Sequence, residues 1–213
     1  TNVGCSDIGG AGITETLNLL TTNTVTYYVR VVRRSGTSGT MPGNICIYTC
    51  AAAPSNDDPC GATALSIGTT CSYTNYTLSS CATNTTLVGA PSCGSYSSGD
   101  IWFSAVVPAS GYLIFTANVG TVTNASMALY SATACSGVFT ELYCDDNTGP
   151  GNMPEITAPS LVPGSTVYLR LWSNNNAQSG TFDLCCYEPP CPAGPPANDD
   201  PCGATALSIG ASC

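Results

Sequence analysis

A block of thirteen residues, NDDPCGATALSIG, occurs twice without a change, at 56–68 and again at 198–210. The two copies lie 142 residues apart, and self-similarity at a fixed period is the signature of a repeated structural unit. A unit of about 140 residues is long enough to bury one hydrophobic core. The repeat therefore predicts tandem domains of about 142 residues, each folded within one period of the sequence.

The opening of the chain is similar to the second part of that unit. The segment TVTYYVRVV at 24–32 resembles STVYLRLW at 165–172, and the cysteine-containing segments that follow also resemble each other. The missing parts of the end units are expected in a longer array or in neighbouring subunits. We predict the end of a preceding repeat at 1–50, a linker at 51–55, one complete repeat at 56–191, a Pro-rich linker at 192–197 and the start of another repeat at 198–213.

Two residue types are absent, and their absence excludes much chemistry. The chain contains no His and no Lys, so Ser–His–Asp catalysis, His metal sites, Schiff bases and Lys-containing phosphate loops are excluded. A net charge of −9 disfavours nucleic acid as a partner, and no apolar run approaches the ~18 residues of a membrane span. Asp145 with Glu155 or Glu141 is the remaining catalytic candidate, but we interpret these as surface acids and predict no enzyme activity.

Fourteen cysteines are the strongest chemical signal in the sequence. Their spacings are long and include no paired C-x-x-C motif, which favours disulfides over zinc. Disulfides of this density indicate an oxidising compartment and an extracellular location, either secreted or attached to a cell surface. The cysteines predicted to form disulfides are Cys46, Cys50, Cys60, Cys71, Cys81, Cys93, Cys135, Cys144, Cys185, Cys186, Cys191, Cys202 and Cys213.

Short spacings suggest local pairs, which would close loops of about ten residues. One cysteine of the complete unit is left over, where Ile47 stands in the earlier segment. It is either a buried thiol or the site of a bond to a neighbouring chain. The predicted pairs are Cys60–Cys71, Cys81–Cys93, Cys135–Cys144, and Cys191 with either Cys185 or Cys186.

The secondary structure is predicted to be all strand. Runs of β-branched and aromatic residues separated by Gly, Pro and Asn indicate a β-sandwich. In the segment at 166–172, alternation places Val167, Leu169 and Leu171 on one face, and Tyr168, Arg170 and Trp172 on the other. We expect Trp102 in the core, Trp172 exposed or at an interface, and Asp183 facing solvent.

Four segments, read in order, resemble a known family. They are NDDPCGATALSIG, GDIWFSAVVPASGYLIFTAN, MALYSATACSGVFTELYCDDN and LVPGSTVYLRLWSNNNAQSGTFDLCCY. Their order is similar to that of the bacterial pre-peptidase C-terminal domain, and more closely to its cysteine-rich variant, repeated in large secreted surface proteins of Bacteroidetes-type bacteria. The resemblance covers 56–187 and 16–50. It implies a jelly-roll-like β-sandwich outside the cell that is an accessory or adhesive module and not a catalyst.

Acidic residues suggest calcium as a cofactor. The resemblance implies a site in the acidic segment ahead of the first strand, and calcium takes six to eight oxygen ligands. The alternative is that the acids cap a turn before Pro59 or lie in a solvated loop. Three Asn-X-Ser/Thr triplets also predict glycosylation, at Asn75, Asn84 and Asn124. The candidate calcium ligands are Asn56, Asp57, Asp58, Asp100, Asp145 and Asp146.

Two functions of different classes follow from these features. The first is a structural repeat of a long extracellular filament or surface adhesin, whose partners are copies of itself. The second is an extracellular accessory module that binds carbohydrate or another surface polymer. Three of the six residues at 192–197 are Pro, and Pro-rich linkers act as semi-rigid spacers. The linker therefore favours the filament.

Overall fold

The computed structural model describes residues 52–97, 99–174 and 178–190, together with Cys5, Leu17, 26–32 and 44–45. The chain divides into two compact units, Thr1–Ile47 and Tyr48–Cys213. The described residues of the first unit carry no regular secondary structure. The Pro-rich linker, the second copy of the repeated block, and Cys46, Cys50, Cys191, Cys202 and Cys213 lie outside the described residues.

The described part of the second unit is an all-β sandwich of two sheets, as the sequence predicts. The front sheet has the order β1-β4-β9-β6-β7, and the back sheet has the order β2-β10-β5-β8, with β3 also pairing with β10. The strands are β1 (Thr63–Ala64), β2 (Ile67–Gly68), β3 (Thr74–Leu78), β4 (Asp100–Val106), β5 (Leu113–Asn118), β6 (Ala125–Ser131), β7 (Thr140–Asp145), β8 (Glu155–Ala158), β9 (Thr166–Ser173) and β10 (Gly180–Tyr187). Two short 3-10 helices lie at Pro59–Gly61 and Pro150–Asn152.

The core lies between the two sheets and follows the alternation of the strands. Val167, Leu169 and Leu171 of β9 belong to it, which confirms the inward face predicted for this strand. From the back sheet, β10 contributes Phe182 and Leu184 in the same alternating manner. Because successive side chains of a strand point to opposite faces, the intervening residues of both strands point away from this core.

The front sheet is buried on its outer face as well. Trp102, Tyr130, Tyr168 and Trp172 form a second apolar cluster there with Val88. Val88 belongs to residues 79–97, which we call the cover loop and which connect β3 towards β4. The expectation that Trp172 is exposed is wrong, because the cover loop packs over it and leaves it 0% exposed. Trp102 is buried as expected, but on this outer face.

The first copy of the repeated block joins the two sheets, and we call it the strap (56–68). The Trp102 N–H donates to the carbonyl of Asn56 at 2.8 Å, and β1 pairs in parallel with β4 of the front sheet. Three residues further on, β2 pairs in parallel with β10 of the back sheet. Gly61 is required between these contacts, since a Cβ there would lie 1.9 Å from the carbonyl oxygen of Ser55.

The disulfides connect distant segments. The observed pairs are Cys60–Cys135, Cys71–Cys185 and Cys93–Cys144, separated by 75, 114 and 51 residues. Cys81 is also disulfide-bonded. The predicted local pairs are therefore wrong. The fold brings Cys60, Cys71 and Cys93 each beside a partner that is remote in sequence.

The two adjacent cysteines of β10 are in different chemical states. Cys185 forms a disulfide, whereas Cys186 is a free and buried thiol. The inclusion of Cys186 among the disulfide cysteines is wrong, and the alternative of a buried thiol is confirmed. The cause is strand alternation, because Cys186 belongs to the core between the sheets together with Leu184, while Cys185 points to the outer face.

Removal of a disulfide should strongly destabilise this fold. We expect Cys71→Ser with Cys185→Ser to lower the free energy of unfolding by about 5 kcal/mol, because the bond constrains a loop of more than 100 residues in the unfolded chain. Urea unfolding without reductant measures the loss, and thiol counting controls that the other pairs stay oxidised. A loss below about 1 kcal/mol would contradict a bond between these two residues.

Candidate functional site

The acids of the strap bind other parts of the chain. Asp57 is buried, and its two carboxylate oxygens accept hydrogen bonds from the backbone N–H and the hydroxyl of Thr83 at 2.6 and 2.5 Å. The Asn56 side chain donates to the Trp102 carbonyl at 3.3 Å. Asp58 is exposed, and although it precedes the helix at Pro59–Gly61 it makes no capping hydrogen bond. Of the two strap acids, Asp57 therefore holds the cover loop.

Asp100 lies at the start of β4 and forms a buried ion pair with Arg170 of β9. The Arg170 Nε lies 2.6 Å from Asp100 Oδ2, and both side chains are 0% exposed. Thr85 of the cover loop donates its backbone N–H and its hydroxyl to the same carboxylate at 3.1 and 2.9 Å. A buried charge is tolerated when it is both paired and hydrogen-bonded. This carboxylate meets both conditions.

The guanidinium of Arg170 is enclosed by aromatic rings. It lies 4.2 Å from the ring centre of Tyr96 and 5.4 Å from that of Trp102, and its Nη1 donates to the carbonyl of Gly89 at 2.8 Å. Burial opposes the charge, but neighbouring Asp100 raises the pKa of Arg170 above its ordinary value. Burial also raises the pKa of Tyr96, with a further increase from Asp100. Arg170 is therefore charged and Tyr96 neutral at physiological pH.

The acids around β7 and β8 close a loop. Asp145 Oδ2 accepts hydrogen bonds from the backbone N–H groups of Glu155 and Thr148 at 2.9 and 3.1 Å. Glu155 in turn accepts from the hydroxyl of Thr116 at 2.9 Å. Glu141 is engaged elsewhere, with the backbone N–H and hydroxyl of Ser92. Asp145 thus serves the local backbone.

The structure does not assemble the predicted calcium ligands. All six lie within the described residues, and no group of three or more His, Cys, Asp or Glu side chains that could hold a metal ion occurs in that part of the chain. Three of the candidate acids have other partners instead. Asp57 binds the cover loop, Asp100 binds Arg170 and Asp145 closes its own loop.

The three candidate glycosylation sites lie at the surface to different degrees. Asn75 and Asn84 are exposed, and Asn124 is half-buried. The amide nitrogen of Asn75 already donates to Asp183 Oδ1 at 2.8 Å. The side-chain oxygen of Asn84 lies 2.5 Å from the hydroxyl of Tyr96. Glycosylation of these residues stays a prediction.

Sequence reasoning missed the pairing of Arg170 with Asp100. The available signal was the recurrence of Tyr-x-Arg at the same place in the two similar strand segments, Tyr28 to Arg30 and Tyr168 to Arg170. Alternation had correctly placed Arg170 on the same face as Trp172. The sequence did not indicate that the cover loop packs over that face and buries it.

The sequence matches no described protein family and no curated protein. Among solved structures, the fold is similar to the pre-peptidase C-terminal domain of a collagenase from Bacillus anthracis, with a TM-score of 0.37 and 12% identity over 59% of this chain and 93% of that one. It is also similar to the Yersinia pseudotuberculosis-derived mitogen, with a TM-score of 0.34 and 10% identity over 55% and 86% of the two chains. The resemblance to the pre-peptidase C-terminal domain is thus a distant structural similarity.

Removal of one partner of the ion pair should destabilise the sandwich. We expect Arg170→Met to lower the free energy of unfolding by about 3–5 kcal/mol, because it leaves a buried carboxylate without its counter-charge. The double variant Asp100→Asn with Arg170→Met should lose less free energy of unfolding than the two single variants lose together. Urea unfolding of all four proteins gives the coupling energy, and strictly additive losses would mean that the pair is not coupled.

Cys186 should be inert in the folded protein. Burial raises the pKa of its thiol to about 12, and only the thiolate is an effective nucleophile. Iodoacetamide at pH 8 should therefore leave Cys186 unmodified in the native state and alkylate it in guanidinium without reductant. Exposed Cys5 is the internal control and should react in both states. Peptide mass mapping that finds Cys186 alkylated in the native protein would contradict its burial.

Proposed function

We propose that this chain consists of tandem β-sandwich repeats, each jelly-roll-like, that form a structural and non-catalytic part of an extracellular filament or surface adhesin. The observation that carries the proposal is the role of the strap. Its thirteen residues bind both sheets of the sandwich, and the same thirteen residues recur at 198–210.

Each specific feature of the strap depends on a partner far along the chain. Asp57 needs Thr83, which lies 26 residues further on, and Cys60 needs Cys135, which lies 75 residues further on. The two short strands need β4 and β10. A second block with the same side chains requires a second set of these partners. A second sandwich of the same kind supplies such a set.

The covalent chemistry agrees with a location outside the cell. The disulfides indicate an oxidising, extracellular environment. Within the described residues, no helix has the length and apolar character to cross a membrane. Bonds between remote segments also suit a structural element, because each one joins two parts of the sandwich that are distant in sequence.

Electron microscopy tests the proposal. We expect fibres with an axial repeat somewhat longer than about 27 Å, the span of an eight-residue strand. Pro195→Gly with Pro196→Gly should shorten the persistence length of these fibres, because glycine removes the stiffness of the linker. Pro150→Gly, in an exposed turn of the sandwich, is the matched control. Isolated particles without any fibre would contradict the filament. Fibres of the Pro195→Gly, Pro196→Gly variant that are as stiff as the original would mean that lateral contacts between chains, and not the linker, make the fibre rigid.

A further inference from the structure

The outer face of the back sheet differs from that of the front sheet. The cover loop buries the outer face of the front sheet, whereas the back sheet presents polar side chains at its outer face. Strand alternation places Asp183 and Tyr187 of β10 there, opposite the core residues Phe182 and Leu184. The remaining members of this face include Asn75 of β3, Thr116 of β5 and Glu155 of β8.

A disulfide fixes an aromatic side chain over this face. Cys185 is buried although it points away from the core, and its bond to Cys71 holds the segment that begins there against this face. Two residues after Cys71 comes Tyr73, which is 42% exposed. Tyr73 stands two residues before Asn75, which pairs with Asp183, so alternation places Tyr73 on this same face. Burial, and then Glu155, Tyr187 and Asp183, raise the pKa of Tyr73. We call Tyr73, Asn75, Glu155, Asp183 and Tyr187 the platform.

Each of the two carboxylates of the platform is held by a hydrogen bond to one of its oxygens. Asp183 Oδ1 accepts from Asn75 at 2.8 Å, and Glu155 Oε2 accepts from Thr116 at 2.9 Å. The second oxygen of each carboxylate has no hydrogen-bond partner among the described residues. Fixed side chains lose little entropy when they bind a ligand. The platform therefore offers two preorganised acceptors beside two tyrosine rings.

These groups select the chemistry of the ligand. Carboxylates form strong hydrogen bonds with hydroxyl donors, and tyrosine rings give apolar contact at a low entropic cost. Between residues 52 and 190 the only Lys or Arg is Arg170, which is buried. The described surface of the sandwich thus offers no cation to an anionic ligand. A neutral ligand with many hydroxyl groups fits the platform best.

The spacing sets the size of the ligand. In the register of the back sheet, Cys185 of β10 stands opposite Thr116 of β5, and Thr116 stands opposite Glu155 of β8. Asp183 lies two residues before Cys185. The carboxylates of Asp183 and Glu155 are therefore two strands apart and offset by two residues. This places the Cα atoms of Asp183 and Glu155 about 12 Å apart. An extended chain of sugars spans this distance and can contact the platform along its length. We propose that the platform binds neutral polysaccharide chains.

Titration calorimetry of the full chain tests the assignment, with cellohexaose, xylohexaose and chitohexaose as neutral probes and hexagalacturonate as the acidic one. At least one neutral probe should bind, and the acidic probe should not. Tyr73→Ala should weaken binding at least tenfold, since a central aromatic contact carries much of the affinity. Asp183→Asn with Glu155→Gln should have a similar effect.

Matched controls separate binding from folding. Tyr112→Ala, in the turn before β5, and Asp146→Asn, after β7 of the front sheet, should bind within twofold of the original protein. Tyr73→Phe keeps the ring and should retain most of the affinity even if the alanine variant is unstable. Fibres formed by the platform variants should be unchanged, so this inference and the filament can fail separately. Failure of every neutral probe to bind, equal binding of hexagalacturonate, or full affinity in Tyr73→Ala would overturn it.

Discussion

The buried ion pair between Asp100 and Arg170 is the interaction on which the rest of the sandwich depends. It joins β4 to β9 at the centre of the front sheet, and it receives hydrogen bonds from the cover loop through Thr85. Two desolvated charges are costly, and their attraction compensates only with good geometry and further hydrogen bonds. Here the carbonyl of Gly89 and the ring of Tyr96 supply additional contacts to the guanidinium. The pair therefore fixes the position of the cover loop.

The strap belongs to the same network. The Thr85 hydroxyl oxygen lies 3.2 Å from the carbonyl oxygen of Asp57 and accepts a hydrogen bond from the indole N–H of Trp102 at 2.7 Å. Asp57 holds Thr83 with its carboxylate. The repeated block, the cover loop and the ion pair thus form one continuous set of polar contacts on the front sheet. Asp57, Cys60 and Gly61 of the repeated block each occupy a position where a substitution would remove a contact or create a clash.

Much of the sandwich, but little of its long-range chemistry, could be predicted from the sequence. Alternation correctly assigned the inward face of β9, including Leu169, because that pattern is local. The same alternation, which places Asp183 on the outer face of β10, also separates Cys185 from Cys186. The disulfide partners could not be predicted, because the bond from Cys60 to Cys135 depends on which elements become neighbours after folding. The acid of the ion pair was mistaken for a calcium ligand for the same reason, since its partner lies 70 residues away.

The two proposals, a filament of repeats and a glycan-binding platform, support each other physically. The cover loop buries the outer face of the front sheet, whereas the platform lies on the outer face of the back sheet, so every repeat of this fold would carry its platform on the same side. Linked sites raise the overall affinity by on the order of 10²–10⁴ when the linker lets them engage together. If the repeats follow one another as proposed, Pro-rich linkers, which act as semi-rigid spacers, would hold successive platforms at a set spacing along a polysaccharide chain.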